Sequence, residues 1–185
     1  SGRATTGGWP LPNLKSKIQN PKSPMSSPWI YLAGPLFTQA EITFNQLLCD
    51  RLRSHGYSIY LPQQECAGIT DPATLFQVCM RGLDGADRVL VILDGTDADS
   101  GSCFEMGYAF AKGLPIIGLR TDFRGSGEHL GLNLMLTHSC SHLLLTTAAT
   151  PPPSTEKITY SQVGEDIVPK LLKVLEDLLI STGVE

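Results

Sequence analysis

The stretch that decides the fold is ADRVLVILDGTDADSGSCFEMGYA, residues 86–109. It opens on Arg88–Leu93, a run that is apolar and rich in β-branched residues. Continuous apolarity is typical of a central strand in a parallel sheet whose two faces are both covered. A polar loop follows, and then a predicted helix over Ser102–Lys112 that ends at Gly113. The stretch therefore predicts one strand–loop–helix unit of an α/β fold.

The same alternation continues on both sides of this unit. Strands are predicted at Trp29–Ala33, Tyr57–Leu61, Leu114–Leu119 and His142–Thr147, helices within residues 44–56 and 72–85, and a last helix with Ile167, Leu171, Val174, Leu175 and Leu178 on one face. This order requires right-handed crossovers, which build a doubly wound open sheet of about five mainly parallel strands with helices on both faces. Ligands of such sheets bind beyond the carboxyl ends of the strands. Those ends are Gly34–Phe37, Asp94–Glu105 and the loop after Leu119.

Length and composition limit the class of protein. The chain has 185 residues, of which 42% are hydrophobic and 17% charged, and its formal net charge is −4. This length suits a single domain. An excess of acidic residues argues against a nucleic-acid polymer or an anionic membrane as partner. No apolar run approaches the roughly 20 residues that span a bilayer.

The domain organisation is read from where the apolar pattern begins. Residues 1–27 lack it and are predicted to be a disordered leader, either a natural extension or sequence in front of a native start at Met25. Residues 28–185 are predicted to form one domain.

The five cysteines include no C-x-x-C pair. Scattered cysteines are typical of reduced thiols in a cytoplasmic protein.

Four carboxylates follow the central strand within twelve residues: Asp94, Asp97, Asp99 and Glu105. They are either the solvated acids of a surface loop or a functional cluster at a strand mouth. Glu105 favours the second interpretation because it lies one turn inside a helix whose N-terminal dipole stabilises an ionised carboxylate. Such a group can act as a nucleophile or a base. A calcium loop does not fit, because Gly101, Ser102 and Tyr108 occupy positions where the EF-hand pattern needs Asp or Asn, Gly and Glu.

Other chemical motifs are weaker. His138, Cys140 and His142 would share one face of a strand, but they lack the usual zinc spacing and are interpreted as structural residues. Tyr31 in the first strand is either a core tyrosine or part of the adjoining site. The chain contains no G-x-G-x-x-G, Walker or G-x-S-x-G motif. Dinucleotide, P-loop and esterase-type chemistry therefore lack their usual sequence support.

Four segments in order resemble the nucleoside 2′-deoxyribosyltransferases. They are YLAGPLF (31–37), ADRVLVILDGTDADSGSCFEMGYA (86–109), GLPIIGLRTDFR (113–124) and GLNLML (131–136). The resemblance runs from about Trp29 to about His142. It implies a flavodoxin-like subunit that exchanges the base of a 2′-deoxyribonucleoside for a free nucleobase, with a place in purine salvage. It implies neither a cofactor nor a metal.

The resemblance also implies roles for individual residues. Glu105 matches the family's nucleophile, Asp99 the aspartate that binds the sugar 5′-hydroxyl, and Tyr31 the tyrosine that orients the nucleophile. Phe37 matches an aromatic position near the base. Further implied contacts come from Asn133 and Met135, which would reach a neighbouring subunit's site in a homo-oligomer. The Asp99 carboxylate would accept a hydrogen bond from a free hydroxyl but repel a phosphate, which favours a nucleoside over a nucleotide.

One position departs from the family pattern. Many members have an aspartate eight residues before the position of Asp87, where it helps to protonate the leaving base, and here that position is Cys79. A thiol with an ordinary pKa of about 8.5 is a poor acid for this role. The proton could come from Asp97 or from solvent. Gln63 is either a reader of the base edge or a solvated loop residue.

Two other functions fit the same residues. A hydrolase of the N-glycosidic bond in deoxynucleosides or deoxynucleotides would use the same nucleophile with water as acceptor. A non-catalytic nucleoside-binding sensor would bind without cleavage. An intact Glu105 in an intact motif argues against the sensor, since pure binding needs no nucleophile.

Overall fold

The computed structural model describes residues 29–124, 127 and 129–182, with side chains described as far as Leu178. The predicted leader lies outside these residues, and the assignment of 28–185 to one domain stays a prediction. The strands are β1 Trp29–Ala33, β2 Ser58–Tyr60, β3 Ala86–Ile92, β4 Ile116–Arg120, β5 His142–Thr147 and β6 Ile158–Gln162. The helices are α1 Gln39–Ser54, α2 Pro62–Glu65, α3 Pro72–Gly85, α4 Ser100–Ala111, α5 Leu134–Ser139 and α6 Val168–Thr182.

All strand pairs of the sheet are parallel, in the order β2-β1-β3-β4-β5-β6. This order contains the 2-1-3-4-5 arrangement of flavodoxin-like folds, with one more strand at the edge. The predicted doubly wound α/β fold is confirmed. The additional strand, β6, was not predicted, because it follows a proline-rich segment and only Ser161 within it is buried. An edge strand of this kind carries little apolar signal.

The two faces of the sheet are buried under different helices. Leu90 and Ile92 of β3 pack toward α1 and α6, whereas Val89 and Val91 pack toward α3 and α4. This double coverage explains why the strand is apolar at successive positions. The predicted face of the last helix is confirmed, since its apolar residues all pack into the first of these clusters.

The local structure around α4 and α5 corrects two expectations. Helix α4 begins at Ser100, two residues earlier than predicted. His138 and Cys140 do not lie on a strand with His142, because His138 belongs to α5 and Cys140 caps that helix.

The described residues include no group of three or more His, Cys, Asp or Glu side chains placed to hold a metal ion. Nor is any helix in this part of the chain long and apolar enough to cross a bilayer.

The close approach of α3 to β1 gives a stability prediction. A Cβ atom added at Gly85 would lie 2.1 Å from Cζ2 of Trp29, whose indole is held by a 2.9 Å hydrogen bond to the Gly82 carbonyl. We expect Gly85→Ala to lower the free energy of unfolding by about 1–3 kcal/mol, as overpacking does. Denaturant unfolding measures this change.

The matched control is Gly107→Ala in α4, where a Cβ atom would meet nothing within 4 Å. We expect this variant to be stabilised by about 0.5–1 kcal/mol, because alanine is the better helix former. Equal stabilisation of both variants would contradict the packing argument.

Candidate active site

Tyr31 and Glu105 form the centre of the candidate site. Tyr31 is the middle residue of β1 and is fully buried. Glu105 lies in the second turn of α4, on the side that carries the buried Ser102, Met106 and Ala109 and faces the sheet. The Tyr31 hydroxyl donates a 2.5 Å hydrogen bond to Glu105 Oε1. The fold thus joins two residues that are 74 positions apart in the chain.

A stack of aromatic rings fixes the Tyr31 side chain. The Tyr31 ring lies 5.6 Å from the ring of Tyr60 at an interplanar angle of 14°, and Tyr60 in turn lies 6.1 Å from Trp29. The Tyr60 hydroxyl donates a 2.9 Å hydrogen bond to the Val78 carbonyl. Because the rings are stacked and both Tyr60 and Trp29 are hydrogen-bonded to α3, the Tyr31 hydroxyl is held in one position toward Glu105.

The site makes Glu105 a carboxyl group that titrates near neutrality. Burial raises the pKa of Glu105, the hydrogen bond from Tyr31 lowers it and the nearby charge of Asp99 raises it, and together these effects bring the pKa to about 7. Burial and the Glu105 charge also raise the pKa of Tyr31. Tyr31 therefore remains a hydrogen-bond donor at neutral pH, and Glu105 is the member of the pair that loses a proton.

Asp99 caps the helix that carries Glu105. Its Oδ2 accepts hydrogen bonds from the Ser102 amide at 2.8 Å and the Ser102 hydroxyl at 3.0 Å. This is the usual N-cap arrangement, and it fixes where α4 begins. Both bonds use Oδ2, so that the other carboxylate oxygen can serve a ligand. The capping bonds therefore hold a second carboxylate close to Glu105 without occupying both of its oxygens.

Cys79 lies on α3 beside the Tyr31 hydroxyl and contributes to the raised pKa of Tyr31. Burial and the neighbouring Cys66 raise the pKa of the Cys79 thiol to about 11. At neutral pH this group is a neutral thiol and a weak acid. The structure thus places the residue that departs from the family pattern in contact with the Tyr31–Glu105 pair.

Two polar residues, Asp94 and Arg120, hold the loops around the site through hydrogen bonds that the sequence does not predict. Asp94 accepts a 2.6 Å hydrogen bond from the Thr121 amide and a second bond from the Thr121 hydroxyl. The buried Arg120 donates to Asp122 at 2.9 Å and to the carbonyls of Gly95, Gly131 and Arg124. The loops after β3 and β4 are therefore tied together. Arg120 and Thr121 lie in the segment GLPIIGLRTDFR and Asp94 lies in the acidic cluster after β3, but neither segment shows which residues are bonded to each other.

A cavity of about 210 Å³ lies beside these loops, lined by Thr96, Asp97, Ala98, Arg120, Gly127, Gly131, Leu132, Asn133 and Leu136. It is smaller than the roughly 300–1,000 Å³ of typical small-molecule pockets. Glu105 does not line it. The cavity is therefore a neighbouring feature of the loop region rather than the Tyr31–Glu105 site itself.

The other four predicted site residues lie outside the Tyr31–Glu105 contact. Phe37 follows β1 and is 76% exposed, and Met135 in α5 is 69% exposed. Asn133 caps α5 through a 2.9 Å bond from the Met135 amide and borders the cavity. Gln63 in α2 uses both ends of its amide, accepting from Asn45 at 3.3 Å and donating to the Ile42 carbonyl at 3.0 Å. These contacts show local anchoring, and the substrate roles of all four residues stay predictions.

A scan against protein-family models matches residues 30–135 to the nucleoside 2-deoxyribosyltransferase family, more than half of the 185 residues. The chain belongs to this family. The match covers Tyr31, Asp99 and Glu105, and it extends to Asn133 and Met135 of the last family-like segment. Family membership supports a glycosyl-transferring enzyme.

Solved structures agree with the family fold. A conserved protein from Enterococcus faecalis V583 is 28% identical, with a TM-score of 0.52 over 62% of this chain and 86% of that one. The 2-deoxyribosyltransferase from Bacillus psychrosaccharolyticus is 24% identical, with a TM-score of 0.52 over 62% and 83%. The 2-desoxiribosyltransferase from Leishmania mexicana is 23% identical, with a TM-score of 0.50 over 60% and 85%. No curated protein sequence matches the chain. The two structures of named transferases support the fold of this family member.

Proposed function

We propose that the protein exchanges the base of a 2′-deoxyribonucleoside for another nucleobase through a covalent 2-deoxyribosyl ester on Glu105. The observation that carries the proposal is the 2.5 Å hydrogen bond from the buried Tyr31 of β1 to Glu105 of α4. Family membership supplies the class of reaction. The pair has the two parts that such chemistry needs, a carboxylate nucleophile and a fixed donor that orients it.

The reaction proceeds by two displacements at the anomeric carbon. Ionised Glu105 attacks that carbon from the face opposite the base, the carbon–nitrogen bond breaks, and the base leaves with its bonding electrons. A second base then attacks the ester from the vacated face and releases the Glu105 carboxylate. Two inversions give net retention, as in retaining glycosidases. Because the transition state resembles an oxocarbenium ion, the negative charges of Glu105 and Asp99 stabilise it.

Asp99 selects a nucleoside in this proposal. Its free carboxylate oxygen accepts a hydrogen bond from the sugar 5′-hydroxyl, whereas a 5′-phosphate would bring two negative charges together. At about 4 Å and an effective dielectric constant of 20 this repulsion costs on the order of 4 kcal/mol. The leaving base takes its proton from Asp97 or from solvent, because the Cys79 thiol, whose pKa is raised to about 11, is too weak an acid.

Four further residues are assigned to the base and to a neighbouring subunit. Phe37 and Gln63 contact the base, and Asn133 and Met135 reach the site of a neighbouring subunit in a homo-oligomer. The high exposure of Phe37 and Met135 in the single chain supports these roles, since a large apolar side chain at such a position is available to a substrate or a second subunit. In this proposal the reaction takes place in the cytoplasm and contributes to purine salvage.

The direct test combines product analysis with mass spectrometry. Purified protein with 2′-deoxyinosine and adenine is expected to yield 2′-deoxyadenosine, and protein mixed with 2′-deoxyinosine alone is expected to gain the mass of one deoxyribosyl group on the peptide that contains Glu105. Free deoxyribose accumulating despite abundant adenine would identify a hydrolase instead. Binding without any product would identify a nucleoside sensor.

The pH dependence of the reaction follows from the raised pKa of Glu105. The nucleophile must be ionised, and the pKa of Glu105 is about 7. We therefore expect kcat/KM for base exchange to fall about tenfold for each pH unit below 7. Initial rates at subsaturating 2′-deoxyinosine from pH 4.5 to 9 measure this. A rate that is level from pH 5 to 8 would contradict the raised pKa.

Removing the Tyr31 hydroxyl tests its orienting role. We expect Tyr31→Phe to lower kcat/KM by about 10- to 100-fold, because a hydrogen bond to a charged group contributes about 1.5–3 kcal/mol. Since that bond lowers the pKa of Glu105, its loss should also move the acid limb of the pH–rate profile to higher pH. The control is Tyr60→Phe, which removes a hydroxyl bonded to the Val78 carbonyl instead. An equal shift of the acid limb in both variants would argue against a specific role for Tyr31.

A further inference from the structure

The sulfur atoms of Cys66 and Cys79 lie 4.0 Å apart, and Cys79 is next to the Tyr31 hydroxyl. Cys66 caps the short helix α2, and Cys79 lies in the middle of α3. Both side chains are free thiols and only partly buried, so a small reagent can approach them. The proposed reaction uses neither thiol, although Cys79 borders the residues that carry it.

We propose that Cys66 and Cys79 form an oxidative modification site, at which a low-molecular-weight disulfide such as glutathione disulfide links the two sulfurs and inhibits base exchange. The inhibitory part rests on the proposed function, whereas the linkage itself does not. A disulfide needs an S–S distance of about 2.05 Å, so the two sulfurs must approach by about 2 Å. The segment after Cys66 is mostly exposed and contains Gly68 at a φ of 77°, which leaves its backbone room to adjust.

The chemistry consists of two thiol–disulfide exchanges. The Cys66 thiolate attacks glutathione disulfide, forms a mixed disulfide and releases one glutathione thiolate. The Cys79 thiolate then attacks the Cys66 sulfur and releases the second glutathione. Two protein thiols are oxidised, one external disulfide is reduced, and the two protons of the protein thiols pass through solvent to the two released glutathione thiolates. Because burial raises the pKa of Cys79 to about 11, the second exchange should become faster with rising pH.

The disulfide would affect the position of Glu105 through the neighbouring Tyr31. The Cys79 thiol lies beside the Tyr31 hydroxyl, which holds Glu105 at 2.5 Å. Forming the disulfide removes the thiol hydrogen and draws the sulfur toward Cys66, so the polar surroundings of Tyr31 change. Misplacement of a reacting group by about 1 Å can cost about a hundredfold in rate. We therefore expect the oxidised protein to exchange bases at least about tenfold more slowly than the reduced protein.

The experiment maps the linkage and measures its effect on the full chain. Protein is incubated with glutathione disulfide at pH 8, remaining thiols are alkylated, and tryptic peptides are analysed without reduction. Cleavage after Arg53 and Arg81 places both cysteines, and no others, in the peptide 54–81. We expect this peptide to be unalkylated and lighter by two hydrogen atoms, the exchange rate to fall at least about tenfold, and dithiothreitol to restore both.

Two serine variants complete the test, each compared with its own reduced form. Cys66→Ser lacks the partner sulfur and should keep its exchange rate under oxidation. Cys103→Ser keeps the pair and should remain as sensitive as the parent protein. A peptide 54–81 that is fully alkylated after oxidation overturns the modification site. A linked peptide with an unchanged exchange rate overturns the inhibition. If the reduced protein shows no exchange, the proposed function fails, while the peptide mass still decides whether the linkage forms.

Discussion

We expect Glu105→Gln to exchange bases at least about a thousandfold more slowly than the parent protein, with no deoxyribosyl adduct in the mass spectrum. Glutamine has nearly the shape of glutamate and keeps an oxygen that can accept the hydrogen bond from Tyr31. The variant therefore removes the nucleophilic charge and leaves the surrounding packing in place. Liquid chromatography of the 2′-deoxyinosine and adenine reaction, sampled over hours, resolves a rate this low.

The matched control is Glu176→Gln, which neutralises an exposed carboxylate on α6, away from the sheet mouth. It should exchange bases at the parent rate. Should Glu105→Gln retain more than about a tenth of the parent rate, the covalent mechanism would be wrong, and a direct displacement of one base by the other would have to replace it.

The same substitution should stabilise the protein at alkaline pH. The folded protein holds the pKa of Glu105 at about 7, against an ordinary value of 4.5. Between these values the folded state keeps a proton that the unfolded chain has lost, so the free energy of unfolding declines as the pH rises from about 4.5 to about 7. At about 1.4 kcal/mol per pKa unit, the difference between 4.5 and about 7 means that the ionised glutamate lowers the free energy of unfolding by about 3 kcal/mol at pH 8. Glu105→Gln removes this cost.

We therefore expect Glu105→Gln to unfold like the parent protein at pH 4 and to be more stable by about 3 kcal/mol at pH 8. Urea unfolding at both pH values measures the difference. Glu176→Gln, which removes a carboxylate from the exposed surface of α6, is unfolded at both pH values as the control for the loss of one charge. A Glu105→Gln variant that is less stable than the parent protein at pH 8 would show that the site does not disfavour the charge.

The sequence predicts the central part of the fold because its signals are local. The run Arg88–Leu93 is apolar at successive positions because both of its faces are covered, and Leu171, Val174 and Leu175 recur at helical spacing because they share one core. The edge strand β6 and the short helix α5 give no comparable pattern. Their placement depends on tertiary contacts, such as the parallel pairing of β6 with β5.

The candidate site could be predicted only in part for the same reason. The carboxylates after β3 form a dense local cluster, and the family motifs point to Glu105, Asp99 and Tyr31 as candidates. The nearness of Cys66 to Cys79 and the bonds from Arg120 to two loops arise from folding, and no spacing in the chain shows them. The strand-sharing hypothesis for His138 and His142 is wrong because a helix ends between them.

The stacked ring of Tyr31 serves the hydrophobic core and the proposed chemistry at once. A substitution at this position would change both the packing of the core and the bond to Glu105, so we expect few substitutions of Tyr31 to be tolerated. Diversification of substrate range would have to come from the solvent-facing loops, where a residue such as Phe37 can be exchanged without loosening the interior. Substitutions intended to change the base preference should therefore be made in these loops and not in β1.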